Sequence, residues 1–327
     1  MRRRLITYVF SSALVALFVL VSAGSAAAWD DVGHRITAYV AWQRMTPQTR
    51  ENVIRTLRAA PEDSDLATFY MTYGPEPEDT RKREYFELVA TWADIVRDRA
   101  FDTRYKKYHH SNWHYDDIFW RQTGDGRMEL INETEEGGVA IKKLEEYDRV
   151  LRDVSSSPRE KAIAIAWMMH LTGDIHQPLH NSARVTESEP KGDQGGNLFL
   201  LEPRTDANRS PLNLHWLWDS IVGRNFPLKG DECDRPYVEG LAGRMMKKYP
   251  YARLRNGLEL SQYEKWHQEA FALNNTDVFT PDLKRLVEPS VRYKRKAYNV
   301  AEHQLVLAGY RMGETLNAIF NQPTPAR

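Results

Sequence analysis

Apolar residues along this chain recur mostly at three- and four-residue intervals, the spacing that places them on one face of a helix. The stretch "DDVGHRITAYVAWQRM" (30–45) opens on acidic residues and then repeats apolar positions at that period. "TPQTRENVIRTLRAA" (46–60) begins Thr-Pro, a cap followed by a first-turn proline. The same pattern predicts helices over 83–98, 137–154, 156–176, 234–249, 260–273 and 296–320. Alternating strand patterns are scarce, and "NLFLLEP" (197–203) is the best short candidate. The stretches 60–82 and 187–196, rich in Pro, Gly, Asp and Glu, read as loops or insertions. No internal repeat and no Gly/Ser- or Pro-rich linker interrupts the chain. The expected architecture is one all-α domain with long loops and at most a short β-hairpin. A two-domain arrangement is the weaker alternative, since no shift in composition marks a boundary.

The first 28 residues break the pattern. "MRRRLITYVFSSALVALFVLVSAGSAAA" has a basic start, a long apolar run and a small-residue end that fits A-x-A cleavage. It reads as a signal peptide, with residues 29–327 as the mature domain and an uncleaved membrane anchor as the alternative. Removing 28 of 327 residues leaves 299, and 42 of the 45 basic residues against 45 acidic ones, a formal charge of −3. Such a chain lacks the basic excess needed to hold nucleic acid by charge alone. Export implies an oxidising compartment, yet the single cysteine, Cys233, cannot form an intramolecular disulfide, so packing or metal must hold the fold.

Candidate chemistry concentrates in "HLTGDIHQPLH", His170 to His180. His170 and Asp174 share a helix face at i and i+4. Pro178 makes an unbroken helix untenable, and a break near Gln177 lets His180 fold back toward that face. "NLHWLWDS" repeats the pair with His215 and Asp219. Asp94, ahead of Arg97, lies in "ATWADIVRD"; His114, Asp116 and Asp117 lie in "NWHYDDI"; Trp29 and His34 lie at the expected mature start. Imidazole and carboxylate donors without thiolates suit zinc. Cleavage before Trp29 would free an α-amino group that, with its own carbonyl oxygen, closes a five-membered chelate. The other histidines have simpler readings: His176, His267 and His303 as solvent-facing or hydrogen-bonded residues, and His109 and His110, beside Lys106 and Lys107, as surface.

These elements, in this order, resemble the zinc-dependent single-strand nucleases and 3′-nucleotidases, the type I nucleases, which share a fold with zinc-dependent phospholipase C. The resemblance runs from "WDDVGH" through "TWAD", "WHY", "HLTGDIHQPLH", "GDQGGN" and "NLHWLWD" to "AGYRMGETLN" in the last helix. It implies the phospholipase C/nuclease-like fold and three zinc ions. Asp94, His114, His170 and Asp174 would hold one; Trp29, His34 and Asp174 its neighbour; His180, His215 and Asp219 the third. Asp219 resembles the nucleases, where the phospholipase branch has Glu. Tyr115 would stack a base, Asp117 and Asn197 would bond a base edge, and Arg97 would meet phosphate. The implied activity is hydrolysis of single-stranded DNA or RNA to 5′-phosphorylated products, and of nucleotide 3′-phosphates, by a zinc-bridging hydroxide. The implied location is secreted or periplasmic, with nucleic acid and nucleotides as substrates, no stable protein partner and no membrane anchor after cleavage. The loop at 61–83 and "RYKKYHHSN" (104–112) exceed the family core. The rival readings are a phospholipase C on the same scaffold and a non-catalytic zinc-binding envelope protein.

Overall fold

A computed structural model describes residues 29–131, 137–203, 211–230 and 234–321. The proposed signal peptide and Cys233 fall outside the described residues. The helices are α1 (Asp31–Arg44), α2 (Pro47–Leu57), α3 (Glu78–Val89), α4 (Trp92–Ile95), α5 (Asp102–Tyr108), α6 (Ala140–Arg152), α7 (Pro158–Asp174), α8 (Leu214–Asp219), α9 (Ile221–Asn225), α10 (Asp234–Lys248), α11 (Tyr251–Leu254), α12 (Tyr263–Leu273) and α13 (Val291–Phe320). The mainly α expectation holds.

Helix starts follow local chemistry. Thr46 caps α2 by accepting from the Thr49 amide, with Pro47 in the first turn. Ser157 and Glu160 form a reciprocal capping box at α7, whose first residue is Pro158. Asp30 caps α1, Asn213 caps α8 and Ser290 caps α13.

Three expectations need adjustment. The stretch 83–98 divides into α3 and α4. The amide of Ala90 turns to the Glu87 and Leu88 carbonyls, and the Trp92 indole donates to the Ser64 carbonyl at 2.7 Å, starting a new turn that carries Asp94. Helix α7 stops at Asp174, short of His176, because Pro178 has no amide for the Asp174 carbonyl four residues back and its ring would clash there. The β-structure exceeds a hairpin: β1 (Ile118–Gln122) pairs antiparallel with β2 (Met128–Leu130) and parallel with β3 (Ser182–Arg184). "NLFLLEP" forms only one antiparallel bridge, Leu200 with Asn213.

Helix α13 packs along α1 as the spine. Gly309 and Gly313 make that approach possible: a Cβ on Gly309 would stand 2.5 Å from the Val40 Cβ, and one on Gly313 2.8 Å from the Ala41 carbonyl. Two apolar clusters flank the spine. One gathers Trp42, Trp92, Trp167 and Trp266 with residues from α2, α3, α6 and α7. The other gathers Trp29, Trp120 and Trp218 with residues from α8 to α10 and α12. Leu171 and Ile175 belong to the first and Leu179 to the second, so the segment bearing His170 to His180 lies where the two clusters meet.

Candidate metal centre

The two i, i+4 pairs form as their spacing requires. His170 Nε2 lies 3.4 Å from Asp174 Oδ2, and His215 Nε2 lies 3.3 Å from Asp219 Oδ2. Around the first pair, His34 Nε2 approaches Asp174 Oδ1 at 3.4 Å, His114 Nδ1 approaches Asp174 Oδ2 at 3.2 Å, and Asp94 Oδ1 stands 3.8 Å from His170 Nε2. Around the second, His180 Nε2 is 3.7 Å from Asp219 Oδ1. Three groups of potential ligands result: His34, Asp94 and His170; His114, His170 and Asp174; and His180, His215 and Asp219. The first two share His170, and Asp174 touches His34, His114 and His170, so those two groups are one connected cluster.

Backbone carbonyls aim the imidazoles. His170 Nδ1 pairs with the Ala90 carbonyl at 2.8 Å, His180 Nδ1 with the His114 carbonyl at 2.7 Å, and His215 Nδ1 with the Gly195 carbonyl at 2.7 Å. Each fixes Nδ1 as the protonated nitrogen and turns Nε2 inward as an acceptor, the usual arrangement behind a metal-ligating histidine. The sheet contributes too. The Asp116 amide donates to the His180 carbonyl just ahead of the β1–β3 pairing, which brings the His114 and His180 segments side by side.

Trp29 is fully buried. Its indole donates to the Gly173 carbonyl at 3.0 Å, and the next amide, Asp30, donates to the Asp219 carbonyl at 3.1 Å. The Trp29 backbone is thereby held between α7 and α8. Gly173 leaves room for this: a Cβ there would meet His34 Nδ1 at 2.9 Å, and the His34 ring itself stacks on His170 at 3.9 Å.

The electrostatics are those of a cation site. Burial pushes the Asp174 carboxyl up to about 6 and Asp219 well above the usual range, and it presses His34 and His170 down to about 4. Asp94 goes the other way: against the upward pull of burial, His170, Arg97 and His34 hold it below the normal carboxylate range. Both ring nitrogens of His34, Oδ1 of Asp174, Nε2 of His180 and Oδ2 of Asp219 are buried without a hydrogen-bond partner, while Asp94 Oδ1 lies against the Arg97 guanidinium. Each such atom costs about 1–3 kcal/mol if nothing satisfies it. Four of them, one each from His34, Asp174, His180 and Asp219, face the three small groups and fit divalent metal, and the N/O donor set fits zinc.

The remaining candidates lie around this centre. Arg97 reaches Asp94 Oδ1 at 3.0 Å. Tyr115 and Asp117 are half-buried, and burial, with Asp193 and Asp116 nearby, lifts the Asp117 carboxyl to about 7. Asn197 is half-buried, its amide donating to the Gln194 carbonyl at 2.9 Å. Asp116 accepts from the Ile141 amide. His176 and His267 are buried and hydrogen-bonded, to the Thr172 carbonyl and to Asn181. His303 is half-buried against Gln304, and its neighbour ring is Tyr249. His110 stacks on Trp113 at 3.7 Å and His109 on Tyr105, so neither is a simple surface residue. One polar group escaped the sequence reading. Gln177, fully buried, donates to Asp219 Oδ1 at 2.8 Å while its own oxygen accepts from the Leu179 amide. The only signal for it was an amide side chain beside the helix-breaking proline.

A family model for S1/P1 nuclease matches residues 29–321, beginning at Trp29. Over 314 residues the chain is 22% identical to nuclease S1 of Aspergillus oryzae, covering 90% of this chain and 93% of that protein. It is 20% identical to nuclease P1 of Penicillium citrinum over 89% and 97% of the two chains. It is 28% identical to endonuclease 5 of Arabidopsis thaliana over 171 residues, about half of each.

Proposed function

The chain belongs to the S1/P1 nuclease family, and from that premise we propose that it is a zinc-dependent nuclease that hydrolyses single-stranded DNA and RNA to 5′-phosphorylated products and removes 3′-phosphate from nucleotides. The observation that carries this reading is the convergence of unpartnered, buried His and Asp atoms into three groups beside Arg97. Asp94, His114, His170 and Asp174 hold one zinc; Trp29, through its amine and carbonyl, with His34 and Asp174, holds a second; His180, His215 and Asp219 hold the third. Zinc bound there supplies Lewis-acid charge and lowers the pKa of water toward neutrality. Asp94, kept ionised by the Arg97 guanidinium beside it, accepts a hydrogen bond from the attacking water and orients it. Arg97 offsets charge on the phosphate. Tyr115 stacks an unpaired base, while Asp117 and Asn197 bond its edge, and a duplex hides both contacts.

Residues 1–28 serve as a cleavable signal peptide, which places the mature chain outside the cytoplasm and frees the Trp29 amine. Among the described residues no helix is long and apolar enough to cross a membrane. One observation keeps a phospholipase C reading in play: beside Asn197, Leu198 is 41% exposed, and Leu286, whose amide donates to the Leu200 carbonyl, is 54% exposed. The test is metal analysis of the protein beginning at Trp29, with assays on single-stranded nucleic acid, a 3′-nucleotide and phosphatidylcholine. Three zinc ions and turnover of the first two are expected; turnover of lipid alone overturns the proposal. One residue added before Trp29 should abolish or strongly weaken activity, and full zinc content with full turnover would remove the chelate.

A further inference from the structure

The loop 192–197 lies outside every helix and strand, yet it meets two parts of the candidate site. Four of its residues take left-handed backbone: Gly192 (φ 88°), Gln194 (φ 54°), Gly195 (φ 59°) and Gly196 (φ 79°). That conformation is open to glycine and costly for Gln194. On one side, the Gly195 carbonyl pairs with His215 Nδ1 at 2.7 Å. A Cβ on Gly195 would stand 2.5 Å from the Leu179 carbonyl, so the loop also lies against the residue before His180. On the other side, the loop ends in Asn197, whose backbone and side-chain amides both donate to the Gln194 carbonyl, at 3.1 and 2.9 Å. Asp193 stands behind both. It is fully buried, and its Oδ1 accepts from the Arg184 amide of β3 at 3.0 Å. The Gly196 amide faces the same carboxyl. The Asp193 main-chain carbonyl accepts from the Leu198 amide at 3.1 Å and closes the turn beyond Asn197. Oδ2 is buried without a hydrogen-bond partner, with Arg184 Nε 3.9 Å away. A carboxyl buried on these terms is costly, and what it gains is a fixed loop.

We infer that Asp193 is a positioning residue that sets both the base-edge contact of Asn197 and the aim of His215 through this one loop. The inference rests on the nuclease reading above. A run of left-handed residues has no ladder of its own hydrogen bonds, so the bond from the Arg184 amide to Asp193 is what ties the loop to β3. Only Gly196 separates the carbonyl that orients His215 from the side chain that meets the base, and a loop released from Asp193 shifts the two together. The buried carboxyl thereby joins recognition of the base to retention of metal at His180, His215 and Asp219, without touching either ligand.

The experiment compares wild type with Asp193→Ala, which removes the acceptor for the Arg184 amide, and Asp193→Asn, which keeps it. The first readout needs no turnover. In metal analysis after graded chelator, Asp193→Ala should lose one zinc of its three at a chelator concentration about tenfold below wild type, with the other two unmoved. The second is taken with zinc in saturating excess. KM for adenosine 3′-monophosphate should rise about tenfold in Asp193→Ala with kcat unchanged, while KM for bis(p-nitrophenyl) phosphate, which carries no base, stays at the wild-type value. Asp193→Asn should recover most of both losses. Wild-type metal retention and KM in Asp193→Ala, even with a lowered melting temperature, would make the residue merely structural and overturn the inference. So would movement of one readout without the other, equal KM losses on both substrates, or no recovery in Asp193→Asn. Should Asp193→Ala fail to fold, Asp193→Ser, which keeps a single acceptor oxygen on a shorter side chain, takes its place with the same two readouts. A wild type that holds three zinc ions yet turns over no nucleotide overturns the nuclease reading, and chelator titration then judges Asp193 on metal retention alone.

Discussion

Asp174 touches His34, His114 and His170, whereas Asp219 touches only His180 and His215 among the candidate ligands. Asp174→Ala is therefore expected to remove two metals per chain and Gln177→Ala to weaken only the one at Asp219, since Gln177 fixes that carboxylate from behind. Losses of about 10–100-fold in affinity follow outer-shell mutation of this kind. Metal stoichiometry after dialysis against graded chelator reads both. His267 makes a different prediction. Burial depresses its pKa from 6.5 to about 4. Between those values the unfolded chain binds a proton that the folded chain refuses, so stability present above about pH 6.5 is lost as pH falls toward 4, by about 2–3 kcal/mol. In His267→Gln, urea midpoints measured from pH 7 to pH 4 should fall less steeply than in wild type. At this scale the sequence was informative where a residue type implies chemistry, as with the histidines at 170 and 180. It was silent on Gln177, because a neutral amide gains its role only from the carboxylate it meets across the fold.

Elements were legible where the chain announces their ends. Thr46-Pro47 and Ser157-Pro158 mark helix starts in the letters themselves, and Pro178 announces that α7 must end, though the end falls at Asp174, two residues before the periodic pattern does. The division of α3 from α4 was hidden, since it depends on the Trp92 indole finding the Ser64 carbonyl, 28 residues away. Strand β3 was hidden for a similar reason: three residues carry no usable period, and only the turn at Pro178 lays them beside β1. The α1–α13 contact gives the prediction that belongs here. Gly313→Val would force side-chain atoms into the Ala41 carbonyl and the Arg44 Cβ, both 2.8 Å from a Cβ at that position. Overpacking of this type costs about 1–3 kcal/mol, and the melting temperature should fall accordingly, with metal stoichiometry per folded chain retained.

The whole molecule folds its two apolar clusters around a seam of charges that neither cluster can satisfy. Metal bound to the folded chain alone stabilises it by mass action, about 4 kcal/mol for each site at a thousandfold excess over Kd. Chelation should therefore lower the melting temperature markedly, and re-addition of zinc should restore it. Calorimetry with and without chelator checks this, and a melting temperature indifferent to chelator would mean that the three groups are not a metal centre. With a single cysteine in the sequence, no intramolecular disulfide takes over that role.

The burial of Trp29 reaches beyond chemistry into handling. Because the residue that opens the matched family region lies inside the protein, an affinity tag or fusion partner joined directly to it would have to thread out past Gly173 and Asp219. Purification handles, surface tethers and reporter fusions belong at the opposite end, after exposed Asn321.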